Sequence, residues 1–179
     1  MEVKRQEDLL RIKEEYLARK ESYRRQVLVC GGAGCISSNC GEVRDALVKA
    51  VENFQLSGEV QVMVTGCMGT CAMGPVILVE PEGVFYTKMT PDKVEQVVAR
   101  HLLKDEICEE FTYFNEETGK YVPRMEDIDF FQGQVRIALR NCGHMEYASL
   151  EAYISRDGYG ALAKALCGMT PQDVVDEMK

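Results

Sequence analysis

Between residues 26 and 104 short apolar runs alternate with stretches whose apolar positions recur every three or four residues. Gln26 to Val29 reads as a buried strand that ends in a Gly-rich turn. Val43, Ala46, Leu47, Ala50, Val51 and Phe54 then follow helical spacing, with Ser38 or Asn39 placed to cap the helix and Ser57-Gly58 to stop it. Glu59 to Thr65 alternates, with Val60, Val62 and Val64 on one side, which predicts a second strand. Val76-Ile77-Leu78-Val79 and Val84-Phe85-Tyr86 flank Glu80-Pro81-Glu82-Gly83, the pattern of a hairpin. Thr90 caps a last helix, with Pro91 at its first position and Val94, Val97, Val98, His101 and Leu102 along its apolar stripe. The predicted order is β-α-β-β-β-α.

The flanking segments follow other patterns. From Glu2 to Arg25, Leu9, Ile12, Tyr16 and Tyr23 fall near a heptad line while charges fill the other faces. Residues 1–25 therefore form an amphipathic helix, docking by a narrow seam on its own domain or a neighbouring subunit. Its polar face carries both signs of charge, which argues against membrane binding. Residues 105–129 are charged and turn-rich and read as a connector, and residues 130–179 form a separate, partly helical region.

Composition fits a folded protein of one compact domain with an appendage or two small ones, with 46% hydrophobic and 28% charged residues. No uncharged apolar run reaches the length of a membrane span, and Met1 to Asp8 lack the apolar stretch of a secretory signal, so a cytoplasmic protein without membrane insertion is expected. A net charge of -8 argues against a nucleic-acid-binding surface. Charge is uneven: residues 1–25 hold eight basic and six acidic residues, leaving 13 basic and 23 acidic residues for the remainder.

Eight cysteines in a reducing compartment point to metal ligands, catalytic thiols or small buried residues before disulfides. Four of them form two pairs after predicted strands: Cys30 and Cys35 in V-L-V-C-G-G-A-G-C, and Cys67 and Cys71 in T-G-C-M-G-T-C. C-x4-C followed by C-x3-C supplies four thiolates from two loops, the number a 2Fe-2S cluster requires, which makes electron transfer the leading expectation. Gly31, Gly32 and Gly34 in the first loop, and Gly66 and Gly69 in the second, leave little side-chain bulk, so backbone N–H groups can approach the sulfurs. Met68, Met73, Pro75 and Ile36 are candidates for an apolar shell around them. Zinc also takes four thiolates, more usually from C-x2-C knuckles, and a cluster-free or zinc-binding docking module stands as the alternative. The C-x-x-C of thiol–disulfide exchange and the Lys-Ser/Thr of a P-loop are both missing, as is any Ser-His-Asp, metalloprotease or paired-carboxylate motif.

The β-α-β-β-β-α order with C-x4-C after the first strand and C-x3-C after the second resembles the thioredoxin-like 2Fe-2S ferredoxins, which include the small 2Fe-2S subunit of respiratory complex I. The resemblance implies an α/β, thioredoxin-like mixed sheet over residues 26–104 with the cluster at one end. It places Cys30 and Cys35 on one iron and Cys67 and Cys71 on the other. Phe130-Phe131-Gln132-Gly133-Gln134-Val135-Arg136-Ile137-Ala138-Leu139-Arg140-Asn141-Cys142-Gly143, Gly158 to Leu166 and Met169 to Val175 resemble the opening of the flavoprotein subunit of NADH dehydrogenases and electron-bifurcating hydrogenases.

That second resemblance implies a one-electron carrier between an NADH/FMN site and other iron-sulfur centres. Its expected partners are flavoprotein and iron-sulfur subunits of an NADH-dependent complex, with a homodimer also open. The chain stops at Lys179, before any Gly-rich FMN and NADH loop, so FMN and NAD belong to a missing or partner portion and no independent catalysis is expected.

The other cysteines and histidines have plainer readings. Cys40, five positions after Cys35, is within reach as a substitute ligand but falls at the start of a helix, where a small buried residue fits. Cys108 and Cys167 are isolated and read as structural. Cys142 and His144 in N-C-G-H-M imitate a ligand pair but read as packing, and His101 reads as a packed or rim histidine.

Overall fold

The computed structural model describes residues 5–179, so the first four residues of the predicted terminal helix lie outside it. The chain divides into two compact units, residues 23–147 and a second unit in which the terminal helix joins residues 148–179.

The larger unit is built on a four-stranded mixed sheet in the order β2-β1-β3-β4. β1 (Arg25–Cys30) pairs in parallel with β2 (Val60–Thr65) and antiparallel with β3 (Ile77–Glu80), which pairs antiparallel with β4 (Val84–Tyr86). All six residues of β1 are buried, as a central strand requires. On edge strand β2, Val60 is buried but Val62 and Val64 are only half-buried, whereas Met63 and Thr65 of the opposite side are buried. The expected alternation fails there, and residues 146–147 cover the strand's free edge: Tyr147 N–H donates to Val64 O at 2.7 Å and Glu146 bridges Thr65.

α2 (Ala33–Ser37) and α3 (Cys40–Asn53) join β1 to β2. α3 packs on β1 and β2 through Val43, Leu47, Ala50 and Val51, and its other neighbour is α4 (Pro91–Val97), which continues as a wider helical turn, Val98–Leu102. Asn39 stands at the N-cap of α3 as expected, but in the left-handed region at φ 62° and with no side-chain capping bond. Thr90 likewise caps α4 by position alone. The α/β architecture with a mixed sheet is thus the one the sequence pattern implied.

Residues 105–129, expected to be a connector, differ from that reading. They run along the free edge of β4, where Phe85 N–H donates to Pro123 O, Thr87 N–H to Phe111 O and Met125 N–H to Gly83 O, at 2.8 to 2.9 Å. Cys108, Met125 and Ile128 enter the hydrophobic core, and β5 (Tyr113–Asn115) pairs with β6 (Lys120–Val122) as a small hairpin. Covering an edge strand in this way removes a template for unwanted strand pairing.

At the end of the sheet where β1 starts, buried Arg25 pairs with Glu82, in the turn between β3 and β4, and with Asp105 at 2.6 Å. His101, 1% exposed, lies beside this group. Cys108 N–H donates to the Tyr86 hydroxyl at 3.3 Å, so the hydroxyl proton is free to reach His101 Nδ1 at 2.9 Å. Burial, with Arg25 and Arg24 adding to it against Glu82 and Asp105, lowers the His101 pKa from 6.5 to about 4.

A depressed histidine pKa means that the unfolded chain takes up a proton the folded chain refuses. Stability is therefore complete above the unfolded value and falls as the pH drops from 6.5 toward 4. Denaturant unfolding of the full chain is expected to show about 2 kcal/mol less stability at pH 5 than at pH 7. In His101→Gln most of that difference is expected to disappear, and an unchanged pH dependence would rule this cause out.

In the smaller unit, α1 (Gln6–Glu21) packs on α6 (Leu150–Ser155) and α7 (Gly160–Gly168), followed by α8 (Pro171–Glu177). Of the expected seam, Ile12 and Tyr16 are buried and Leu9 half-buried, while Tyr23 falls beyond the helix. Lys13 pairs with Asp157 at 2.6 Å and Arg19 with Glu151. The region expected as one flavoprotein-like segment, residues 130–179, is therefore shared: α5 (Asp129–Gln132) and the loop to Tyr147 belong to the larger unit.

Candidate metal centre

Parallel pairing of β1 and β2 brings the two cysteine loops to one end of the sheet. Cys30, the last residue of β1, stands opposite Thr65, the last of β2, and Cys67 follows two positions later. Gly31 N–H donates to Thr65 O at 2.9 Å, tying the exits of the two strands. The first loop turns at once into α2, which carries Cys35. The second closes in a short 3-10 turn, Cys71–Met73. Cys30 and Cys35 are buried, Cys67 is half-buried and Cys71 is exposed.

The loops interlock so closely that side chains would not fit between them. A Cβ on Gly32 would lie 2.9 Å from both Cβ and Sγ of Cys67, and one on Gly34 would lie 3.1 Å from Cys71 Sγ. Gly74, which sequence reasoning passed over, does the same for Cys35, whose Sγ would be 3.1 Å away. Its only signal was the Gly-Pro step after the second loop. Gly69 serves conformation, at φ +94°. Gly31 and Gly66 face elsewhere: added Cβ atoms would meet Val64 Cγ1 at 2.6 Å and Cys142 Sγ at 3.0 Å respectively.

Cys30, Cys35 and Cys67 are close enough to shift one another's protonation, and Cys71 adjoins Cys67. Cys35 donates to Cys30, whose pKa falls from 9.0 to about 5, aided by Met68 and Gly32 N–H groups and by Cys67 against the cost of burial. The same contact and burial push the Cys35 thiol upward, with Val76 N–H opposing. Gly69 N–H pulls Cys67 down, but burial and the neighbouring Cys30 and Cys71 leave it raised. One negative charge is thus comfortable at this site and further charges are not. Four thiolates become tenable here only against compensating cations, as two ferric ions provide.

Among the described residues no three or more His, Cys, Asp or Glu side chains are grouped closely enough to hold a metal ion. Each iron of a 2Fe-2S centre takes two of its four ligands from the protein's cysteines, which suits two thiol pairs carried on two neighbouring loops. Of the expected apolar shell, Met68 and Pro75 are buried, Met73 is half-buried and Ile36 is 62% exposed.

The profile of the thioredoxin-like 2Fe-2S ferredoxins matches residues 15–102. A 2Fe-2S ferredoxin of Clostridium pasteurianum is 40% identical over 73 residues, 41% of this chain and 72% of that protein. The chain belongs to the thioredoxin-like 2Fe-2S ferredoxin family. The structure of such a ferredoxin from Aquifex aeolicus is 32% identical and covers 50% of this chain and 95% of that one, at a TM-score of 0.46. The NADP-reducing hydrogenase subunit HndC of Solidesulfovibrio fructosivorans is 52% identical over 46 residues, 26% of this chain but only 9% of that subunit.

As a thioredoxin-like ferredoxin the protein is an electron carrier with a 2Fe-2S cluster. No helix among the described residues is long and apolar enough to cross a membrane.

Of the remaining cysteines, Cys108 and Cys167 lie apart from the four, whereas Cys40 lies close enough to Cys30 and Cys35 to act on them electrostatically and Cys142 lies beside the second loop. Cys40 is buried at the start of α3, Cys108 is buried in the core with its thiol pushed up by burial, and Cys167 is exposed on α7. The Cys142 Sγ sits against Gly66, next to Cys67, where Gly143 N–H donates to Thr65 Oγ1 at 3.0 Å. His144 instead faces Glu80 at 3.7 Å and Arg136 at 3.4 Å. Cys142 and Gly143 thus lie against the second cysteine loop, a contact that sequence separation concealed.

Proposed function

We propose that Cys30, Cys35, Cys67 and Cys71 hold the 2Fe-2S cluster, the first pair on one iron and the second on the other. The cluster would carry one electron at a time between an NADH/FMN site and other iron-sulfur centres of an NADH-dependent oxidoreductase or hydrogenase complex. The observation that carries the ligand assignment is the interlocking of the two loops, with glycines where any side chain would strike a cysteine sulfur. When bound, the cluster supplies a one-electron redox couple. The chain's own residues supply thiolates, backbone N–H donors to Cys30, Cys35 and Cys67, and exclusion of water by Met68 and Pro75.

Cys71, the exposed member of the four, is the point at which an electron would enter or leave, because transfer to a partner favours the least covered edge. In this reading residues 26–104 are the cluster-bearing domain and residues 130–179 the beginning of a flavoprotein-like portion. Support for the complex is the identity to part of HndC, a subunit named for hydrogenase activity with NADP.

The test is stopped-flow reduction by NADH in the presence and absence of the flavoprotein subunit of the source organism's NADH-dependent complex. Fast bleaching of the cluster's visible absorption only when the flavoprotein is present is expected. Equal rates with and without it would overturn the assignment to an NADH-dependent chain while leaving the ferredoxin standing.

A further inference from the structure

One polar atom in the second cysteine loop has no partner. Thr70 Oγ1, between Cys67 and Cys71, is buried and makes no hydrogen bond within the chain. The residue as a whole is 8% exposed, although Gly69, Cys71 and Ala72 around it are all exposed, so its side chain points into the protein. A buried hydroxyl without an acceptor is unfavourable and rare. The obvious local use for it is to cap the turn Cys71–Met73, which starts at the next residue. It does not: Met73 N–H is taken at 2.9 Å by the Thr70 carbonyl, and the side chain makes no capping bond.

We propose that the Thr70 hydroxyl donates a hydrogen bond to a sulfur of the bound cluster, a bridging sulfide or a thiolate of its own loop, and thereby raises the reduction potential. The inference rests on the reading that Cys67 and Cys71 are ligands. Its physical basis is charge: one-electron reduction adds a negative charge to the cluster without breaking or forming a bond in the protein, and a donor aimed at sulfur stabilises the more negative state more. Thr70 is a positioning residue in this sense and takes no part in bond chemistry.

Thr70→Val keeps the shape and removes the donor, Thr70→Ala removes both, and Thr70→Ser keeps the donor. Potentiometric titration of the full chain, followed by EPR, is the direct readout. The ratio of reduced to oxidised cluster at a fixed potential is expected to fall about tenfold in Thr70→Val, a shift of about 59 mV for a one-electron couple, with Thr70→Ala falling likewise and Thr70→Ser near the parent. Equal potentials in the parent, Val and Ala proteins would overturn the proposal. If Val and Ala fail to assemble, NMR of the parent protein labelled with 13C-threonine decides: a Thr70 side chain free of paramagnetic shift and broadening overturns it, and a strongly shifted one supports it. Absence of iron and sulfide from the parent itself would instead mark failure of the ligand reading.

Discussion

Cys35→Ser and Cys67→Ser are each expected to abolish or severely distort the 2Fe-2S cluster, whereas Cys108→Ser keeps it. The three substitutions remove the same atom, so any difference reports place. Cys35 and Cys67 lie beside Cys30 and act on its pKa, and loss of either leaves an iron without half of its protein ligands. Cys108 is buried in the core, its thiol directed at Gln96 O at 3.8 Å, and serine there costs packing alone, about 1 kcal/mol. Iron and acid-labile sulfide per chain, with the visible spectrum after anaerobic purification, check the outcome. Equal loss in all three variants would show that the ligand set is wrong.

The second large effect is steric. Gly32→Val is expected to fold but to take up little or no cluster, while Gly58→Ala takes up the full complement. A Cβ at Gly32 would stand 2.9 Å from Cys67 Sγ, whereas one at Gly58 would meet nothing within 4 Å. The backbone at Gly32 is ordinary, at φ -68°, so the effect comes from space and not from conformation. Overpacking of this kind costs about 1–3 kcal/mol, which a core drawn from β1, α3, α4 and the hairpin can sustain. Here the displaced atom is a cluster ligand, and the cost falls on metal binding. Iron content after anaerobic reconstitution, set beside thermal unfolding of the same samples, separates the two effects. Full reconstitution of Gly32→Val would mean that the loops are not closed around the cluster in this way.

How much of this was legible in the sequence differed by region for physical reasons. The β-α-β-β-β-α order could be read because three strands are dense apolar runs, the second alternates, and each long helix keeps its stripe. Val43 to Phe54 is an example, and Glu80-Pro81-Glu82-Gly83 punctuates the hairpin. α2 was missed because five residues, Ala33–Ser37, are too few to show a period and follow two glycines. Residues 105–129 looked like a connector since Cys108, Met125 and Ile128 are too widely spaced among charges to form a pattern. What fixes that segment is backbone hydrogen bonding to β4, which no side chain advertises. Its turn did leave a trace, Asn115 to Gly119, where Asn115 Oδ1 accepts from Glu117 and Thr118 N–H and Gly119 takes φ +66°.

At the site the four cysteines were legible because thiolate chemistry constrains spacing as well as residue type. The glycines were less so. A Gly-rich loop announces close approach but not toward what: Gly32 and Gly34 face cysteine sulfurs, while Gly31 faces Val64 and Gly66 faces Cys142, 76 positions away in sequence. The unpartnered hydroxyl of Thr70 also needed the structure, since burial between exposed neighbours leaves no mark in the chain.

The most direct measurement is low-temperature EPR of the anaerobically purified, dithionite-reduced full chain, quantified against iron and sulfide in the same sample. Cluster binding at the two loops calls for an S = 1/2 signal of a reduced 2Fe-2S centre accounting for about one spin per chain, with about two irons and two sulfides. A silent spectrum from protein that contains zinc, or neither iron nor sulfide, would contradict it.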